Sequence, residues 1–183
     1  MDLIEHLTEP FLFQSALLQE TAPVLAAPCA AAAEILAQSL LQSGRILVWA
    51  EGPERALAEL FVQRLWHGLD RERPPVAALR LEGEGEDVLR PFTALAQPGD
   101  ALVLLFARPS PTATALREAA HENGIALVAL GTDGDGQWFG GLAGSDVPLE
   151  LPELPPSRHG ELMLFTLDLL VEALDAVLLG DFA

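Results

Sequence analysis

Side chains able to do chemistry gather at three places in this 183-residue chain, each just after a short apolar run. The first is Glu51-Gly52-Pro53-Glu54-Arg55 and the third is Gly131–Gly136. The second, Ala107–Thr114, is the richest. Arg108, Ser110, Thr112 and Thr114 place one cation and three hydroxyls around the start of a predicted helix, where free N–H groups and the helix dipole favour an anion. The same residues also suit an ordinary Ser cap followed by two solvated threonines. The first group argues against phosphate. Glu51 and Glu54 flank a predicted helix start, satisfy its dipole themselves and repel a dianion. Pro53, Pro109 and Pro111 each remove a backbone N–H from the loops that would form a cradle.

The remaining candidates are weaker. His6, His67, His121 and His159 are scattered and lack metal-ligand spacing. His159 and Glu161 stand two apart at the start of the last helix. They face different sides and read as two solvent-facing residues. Gly83-Glu84-Gly85-Glu86-Asp87 reads as a mobile acidic loop, and Gly131–Gly136 as a tight turn without the ligands of a calcium loop. Trp49, Trp66 and Trp138 read as packing residues. No metal or other cofactor is implied.

These loops need a scaffold, and the apolar runs supply it. Arg45–Ala50, Val76–Leu81, Ala101–Phe106, Ile125–Leu130 and Val147–Leu151 read as strands. Helices are predicted over Arg55–Leu69, from Ser110 to His121 or Glu122, and over Arg158–Leu179, with a short helical stretch near Pro91–Ala96. Pro53 and Pro111 suit the first position of a helix, and Ser110 suits the cap before it. Apolar strands alternating with helices predict an α/β fold, a three-layer αβα sandwich around a parallel Rossmann-like sheet. Two more helices are predicted ahead of it, over 3–20 and 23–43, broken at Thr21-Ala22-Pro23. They divide the chain into a helical hairpin for oligomerisation, 1–43, and the sheet domain, 44–183, in one compact unit. Their Ala/Leu-rich surfaces suit either self-association or packing on the sheet.

Composition excludes several classes. With 10 Arg, no Lys and 27 Asp+Glu, the formal net charge is −17. No nucleic-acid backbone or anionic membrane surface attracts such a chain. Cys29 is single, so no intrachain disulfide and no Cys-rich zinc site can form, and it reads as a small buried thiol. The N-terminus lacks a signal-peptide pattern, and no uninterrupted apolar run is long enough to cross a bilayer. A cytoplasmic location is expected.

From Gly44 onward, and including the leading helices, the chain resembles the SIS (sugar isomerase) domain family. It is similar to the branch that holds phosphoheptose isomerase and the DnaA initiator-associating protein. The marks are Gly44-Arg45-Ile46-Leu47, Glu72-Arg73-Pro74, Pro98-Gly99-Asp100, the run Ile125–Leu130, and Gly140 to Val147, with Arg158 and Glu161 opening the last helix. The functional motifs depart from the pattern the resemblance implies. In the first loop only Gly52 survives, and Glu54 stands where the family has a phosphate-binding Ser. The second loop keeps only Ser110, at a shifted place. In Leu60-Phe61-Val62-Gln63-Arg64, Arg64 replaces a catalytic, metal-associated Glu. In Gly160-Glu161-Leu162-Met163, Met163 replaces a catalytic His and Gly160 a Gln ligand. The connection from Leu81 to Asp100 is shorter than the family's.

Arg64 and Met163 can supply neither the base nor the acid of an aldose–ketose isomerisation, nor ligands for zinc. The expectation is therefore a retired isomerase fold: a carbohydrate-derivative-binding or regulatory protein that acts by protein contacts, leaning away from enzyme. Gly52, Arg108, Ser110, Thr112, Thr114, Arg158 and Glu161 are its candidate ligand-binding residues. The resemblance also implies a homodimer or homotetramer and a protein partner, the initiator DnaA, met through Leu178 and Leu179. The alternatives are a sedoheptulose-7-phosphate isomerase with an atypical site, in which Glu59 or Glu161 compensates, and a phosphosugar sensor without turnover.

Overall fold

A computed structural model describes residues 2–180. Five parallel strands form one sheet in the order β2-β1-β3-β4-β5: β1 Ile46–Ala50, β2 Ala78–Arg80, β3 Ala101–Phe106, β4 Ala126–Gly131 and β5 Val147–Glu150. The helices are α1 Leu3–Leu41, α2 Arg55–His67, α3 Glu86–Leu95, α4 Pro111–Glu122 and α5 Pro156–Leu179. Strand alternation sorts the core into two layers. Ile46, Val48, Val103, Leu105 and Leu130 face α1, α2 and α5. Leu47, Trp49, Leu102, Leu104 and Leu127 face α3 and α4. This is the expected three-layer α/β sandwich. The α3 helix starts at Glu86, earlier than the sequence predicts, and carries Pro91 inside it.

The amino-terminal ends of the strands are held by buried carboxylates. Asp100 accepts hydrogen bonds from the backbone N–H groups of Arg45 (2.8 Å) and Gln97 (3.0 Å), and pairs with the Arg45 guanidinium. Asp146 does the same for Leu127 (3.1 Å) and Ala143 (2.8 Å), with His121 at 2.6 Å. Gly44 enters β1 so close to Gly99 that a Cβ would stand 2.1 Å from the Gly99 carbonyl oxygen. The side of the sheet opposite these ties is left free for loops. Chain order reverses there between β1 and its neighbours β2 and β3, and the crevice at such a reversal is where open parallel sheets bind ligands.

The leading segment corrects the expected hairpin. Leu3–Leu41 is one continuous helix of 39 residues, with Pro10, Pro23 and Pro28 inside it. The reason is the buried stripe. Leu17, Thr21, Leu25, Cys29, Ala32 and Leu36 keep helical spacing straight through Pro23, which points to solvent. Packing of that stripe outweighs the lost hydrogen bond, and the Thr21 hydroxyl donates to the Leu17 carbonyl at 2.8 Å. The expectation of no membrane-length run changes with it: joined into one helix, α1 is long and apolar enough to cross a membrane by length and composition. Its second half lies on the sheet and α5, where Ala32, Ala33 and Leu36 are fully buried. Its first turns leave Leu3, Ile4, Leu7 and Phe11 exposed. Cys29 is buried as expected, and burial pushes its thiol up to about 11.

Because Pro23 interrupts a helix instead of making a turn, Pro23→Ala is expected to raise the melting temperature by at least about 3 °C, since Pro in a helix interior costs about 3 kcal/mol. A lower melting temperature would restore the hairpin.

Candidate functional site

The crevice is built from the ends of β1 and β3. After Ala50 the chain makes a 3-10 turn, Gly52–Glu54, that runs directly into α2. Gly52 adopts φ +56°, a left-handed conformation that favours glycine. Glu54 does not reach into solvent. Its side chain is buried, and one carboxylate oxygen lies 3.3 Å from where a Cβ on Gly52 would stand. The turn that would receive an external anion is thus covered by an anion of the chain itself.

Burial raises the Glu54 pKa above its ordinary value, and the nearby backbone N–H of the same residue draws it partly back. Glu51, on the same turn, is raised first by burial. Ser110 lowers it through its hydroxyl and backbone, and the charges of Glu84 and Glu54 raise it again. Glu51 Oε1 is buried without a hydrogen-bond partner. Both carboxyls therefore hold their protons more tightly folded than unfolded.

A cavity of about 660 Å³ opens beside this turn. Glu54, Arg108, Thr132, Glu153 and His159 line it, with Pro53, Pro155 and Pro156. Arg108 is present as expected, but its guanidinium is engaged by Glu153 at 2.6 Å. His159 is the residue that sequence reasoning misplaced. It is buried rather than solvent-facing, its Nε2 lacks a partner, and burial lowers its pKa, which keeps the imidazole neutral. The i, i+2 spacing correctly separates it from exposed Glu161; what it could not show is that α5 turns this side inward, against the strand ends.

The three hydroxyls of the second loop are used within the fold. Ser110 caps α4 by accepting from Ala113 N–H at 3.1 Å. Thr112 accepts from Gly85 N–H at 3.0 Å and so ties down the acidic loop, in which Glu84 pairs with Arg55 and Gly83 accepts from Trp49. Thr114 donates to the Ser110 carbonyl at 3.1 Å and accepts from the Trp138 indole at 3.1 Å. Of the other expected ligand residues, Arg158 pairs with Glu161 at 2.6 Å on the first turns of α5. On the last turn, Leu178 packs against the core and Leu179 is exposed.

Arg64 meets the last helix at Asp168, in an ion pair that is partly screened from water. Met163 is fully buried in the core. Glu59 is tied to Arg80 at 2.9 Å. A zinc ion does not fit here: where the resemblance implies an acid and an imidazole stand the partly buried Arg64 and the buried Met163, and among the described residues no group of three His, Cys, Asp or Glu side chains could hold a metal. What the cavity does offer is a carboxyl with a raised pKa and a neutral imidazole.

No protein-family model matches the chain. Curated relatives do. The phosphoheptose isomerase of Azoarcus sp. (strain BH72) is 32% identical, with 98% of each chain covered. That of Aromatoleum aromaticum is 34% identical, again over 98% of each. Among solved structures, a phosphoheptose isomerase from Francisella tularensis superposes with a TM-score of 0.85 at 22% identity, covering 96% of this chain and 99% of that one.

The raised carboxyls fix a pH dependence. They favour the folded state as pH falls through their folded values toward the unfolded 4.5, and that contribution is lost as pH rises. Glu51→Gln/Glu54→Gln is expected to melt above the parent chain at pH 8, with the gap closing near pH 4.5. A gap that is absent at pH 8 or widens on acidification would contradict the assigned burial.

Proposed function

The chain belongs to the phosphoheptose isomerase family, and on that premise we propose that it is a binding member of the family that does not turn its ligand over. The observation that carries this reading is the Glu54 carboxylate folded onto the strand-end turn. An isomerase of phosphorylated sugars must hold a dianion and move a proton next to a carbonyl. Here the turn is already occupied by negative charge. The positions that the resemblance assigns to acid, base and metal hold Arg64, Met163 and Gly160. Arg64 is further engaged by Asp168.

The second reading is phosphoheptose isomerisation through an atypical site. Its support is direct: relatives matched over nearly the whole chain carry that name, and Glu54 and His159 share one cavity. Those two side chains are of the types that transfer protons. Distinguishing the readings requires sedoheptulose 7-phosphate and the purified chain. We expect neither conversion above the uncatalysed rate nor a rise in melting temperature with the sugar phosphate. Conversion would establish the second reading. A melting shift without conversion would make the chain a phosphosugar sensor.

The same proposal includes self-association and a protein partner in the cytoplasm. The exposed apolar row Leu3, Ile4, Leu7 and Phe11 on α1 supports a homodimer or homotetramer, because a face of this kind is buried in a stable assembly. Leu179, exposed at the end of α5, is the point offered to a partner such as the initiator DnaA, and the net charge of −17 suits a basic surface. Light scattering is expected to give a dimer or tetramer that Leu7→Ser/Phe11→Ser splits. Immobilised DnaA is expected to retain the parent chain and lose Leu179→Ser. A monomeric parent or no retention removes the corresponding contact.

A further inference from the structure

The loop after β4 carries two Asp-Gly bonds, Asp133-Gly134 and Asp135-Gly136, and α4 ends on Asn123-Gly124. Glycine has no Cβ to shield its amide nitrogen. When it follows Asp or Asn, that nitrogen can attack the preceding side-chain carbonyl carbon and close a five-membered imide. The structure separates the three bonds. Asp133 is 6% exposed, and its Oδ2 accepts from the Phe139 N–H at 2.8 Å. A Cβ on Gly134 would stand 2.8 Å from the Arg108 guanidinium. Asn123 donates from Nδ2 to the Ala119 carbonyl at 2.7 Å, and the Gly124 N–H donates to the His121 carbonyl at 3.1 Å. Both reacting groups are engaged there.

Asp135 differs on each count. Residues Gly134 to Gln137 are exposed, and a Cβ on Gly136 would meet nothing within 4 Å. The Gly136 N–H donates to no group among the described residues. Oδ1 of Asp135 accepts from the Gln137 N–H at 3.1 Å. This bond spans Gly136 and keeps the carboxyl folded back over the intervening amide.

We propose that Asp135-Gly136 is a site of spontaneous isoaspartate formation, and that the fold protects Asp133 and Asn123 from the same chemistry. The Gly136 nitrogen bonds to Cγ of Asp135, and a carboxyl oxygen leaves as water with the carboxyl and amide protons. Solvent water then opens the imide. Attack at Cγ breaks the new bond and restores aspartate. Attack at the main-chain carbonyl carbon breaks its bond to nitrogen instead. The chain then runs through the side-chain carboxyl, one methylene longer, and leaves a free α-carboxylate. Nothing is oxidised or reduced. The product is the kind of substrate taken by isoaspartyl-specific carboxyl methyltransferases. This site is independent of the binding reading above.

Ageing the full chain at neutral pH, native and in guanidinium chloride, tests this by peptide mapping. Isoaspartate is counted by enzymatic methyl transfer, and deamidation of Asn123 by mass. Native Asp135 is expected to convert at no less than about one third of its unfolded rate, since one exposed hydrogen bond restrains it. Asp133 and Asn123 are expected to slow by at least about tenfold, because each must first give up buried or paired hydrogen bonds. Asp135→Glu lengthens the side chain, disfavours the five-membered ring and should remove the native product. Protection of Asp135 equal to that of the other two overturns the proposal, as does unprotected reaction at Asp133 or Asn123. Native isoaspartate that persists in Asp135→Glu also overturns it.

Discussion

A single carboxylate governs how the strand-end crevice can be used. Glu54 is buried at the place where β1 gives way to α2, with a carboxylate oxygen packed against Gly52. A helix start next to a parallel sheet normally presents unpaired N–H groups and a positive dipole end to whatever ligand arrives. In this chain a carboxylate of its own lies against that turn. The elevated pKa values of Glu54 and Glu51 follow from the same placement, since burying two acidic groups on one turn makes the charged forms costly. The proline-lined rim and the Arg108–Glu153 pair extend the pattern outward. Acceptors are in excess, donors are few, and the cations are engaged.

The rest of the molecule is arranged to keep that turn in place. At the opposite ends of the strands, Asp100 and Asp146 gather loop amides and so anchor the sheet away from the crevice. Thr112 and Glu84 fasten the acidic loop to α4 and α2. Arg73, nearly fully buried, pairs with Asp175 and donates to the Leu65 carbonyl, which locks the end of α2 against α5. The Arg64–Asp168 pair lies between the same two helices. An ion pair held between packed helices is weak evidence for stability but fixes their register, since either charge left alone is strongly unfavourable.

Much of the scaffold was legible because its signals are local. The central strands β1, β3 and β4 are short apolar runs bounded by turn residues, and Ser110-Pro111 marks the start of α4 by cap chemistry alone. Cys29 and Trp49 could be assigned to the interior from residue type and neighbours. The leading helix was misread because Thr21-Ala22-Pro23 is a local break signal, whereas the stripe from Leu17 through Leu36 that overrides it is spread over five turns. The site was legible in its charge and not in its geometry. Two acidic residues on one turn argue against phosphate, but burial of Glu54 and the inward turn of His159 depend on how separate layers meet. Asp168 as the partner of Arg64 was missed for the same reason, because nothing near Arg64 in the chain points to a residue on the last helix.

The central claim is that the chain's own carboxylate occupies the seat of an external oxyanion. The most direct measurement is a crystal structure from sulfate-containing crystals soaked in sedoheptulose 7-phosphate. The account predicts Glu54 on its turn and no sulfate or phosphate in hydrogen-bond contact with Gly52–Glu54 or Ser110. An oxyanion seated between Gly52 and Ser110, with Glu54 swung out to solvent, would contradict it.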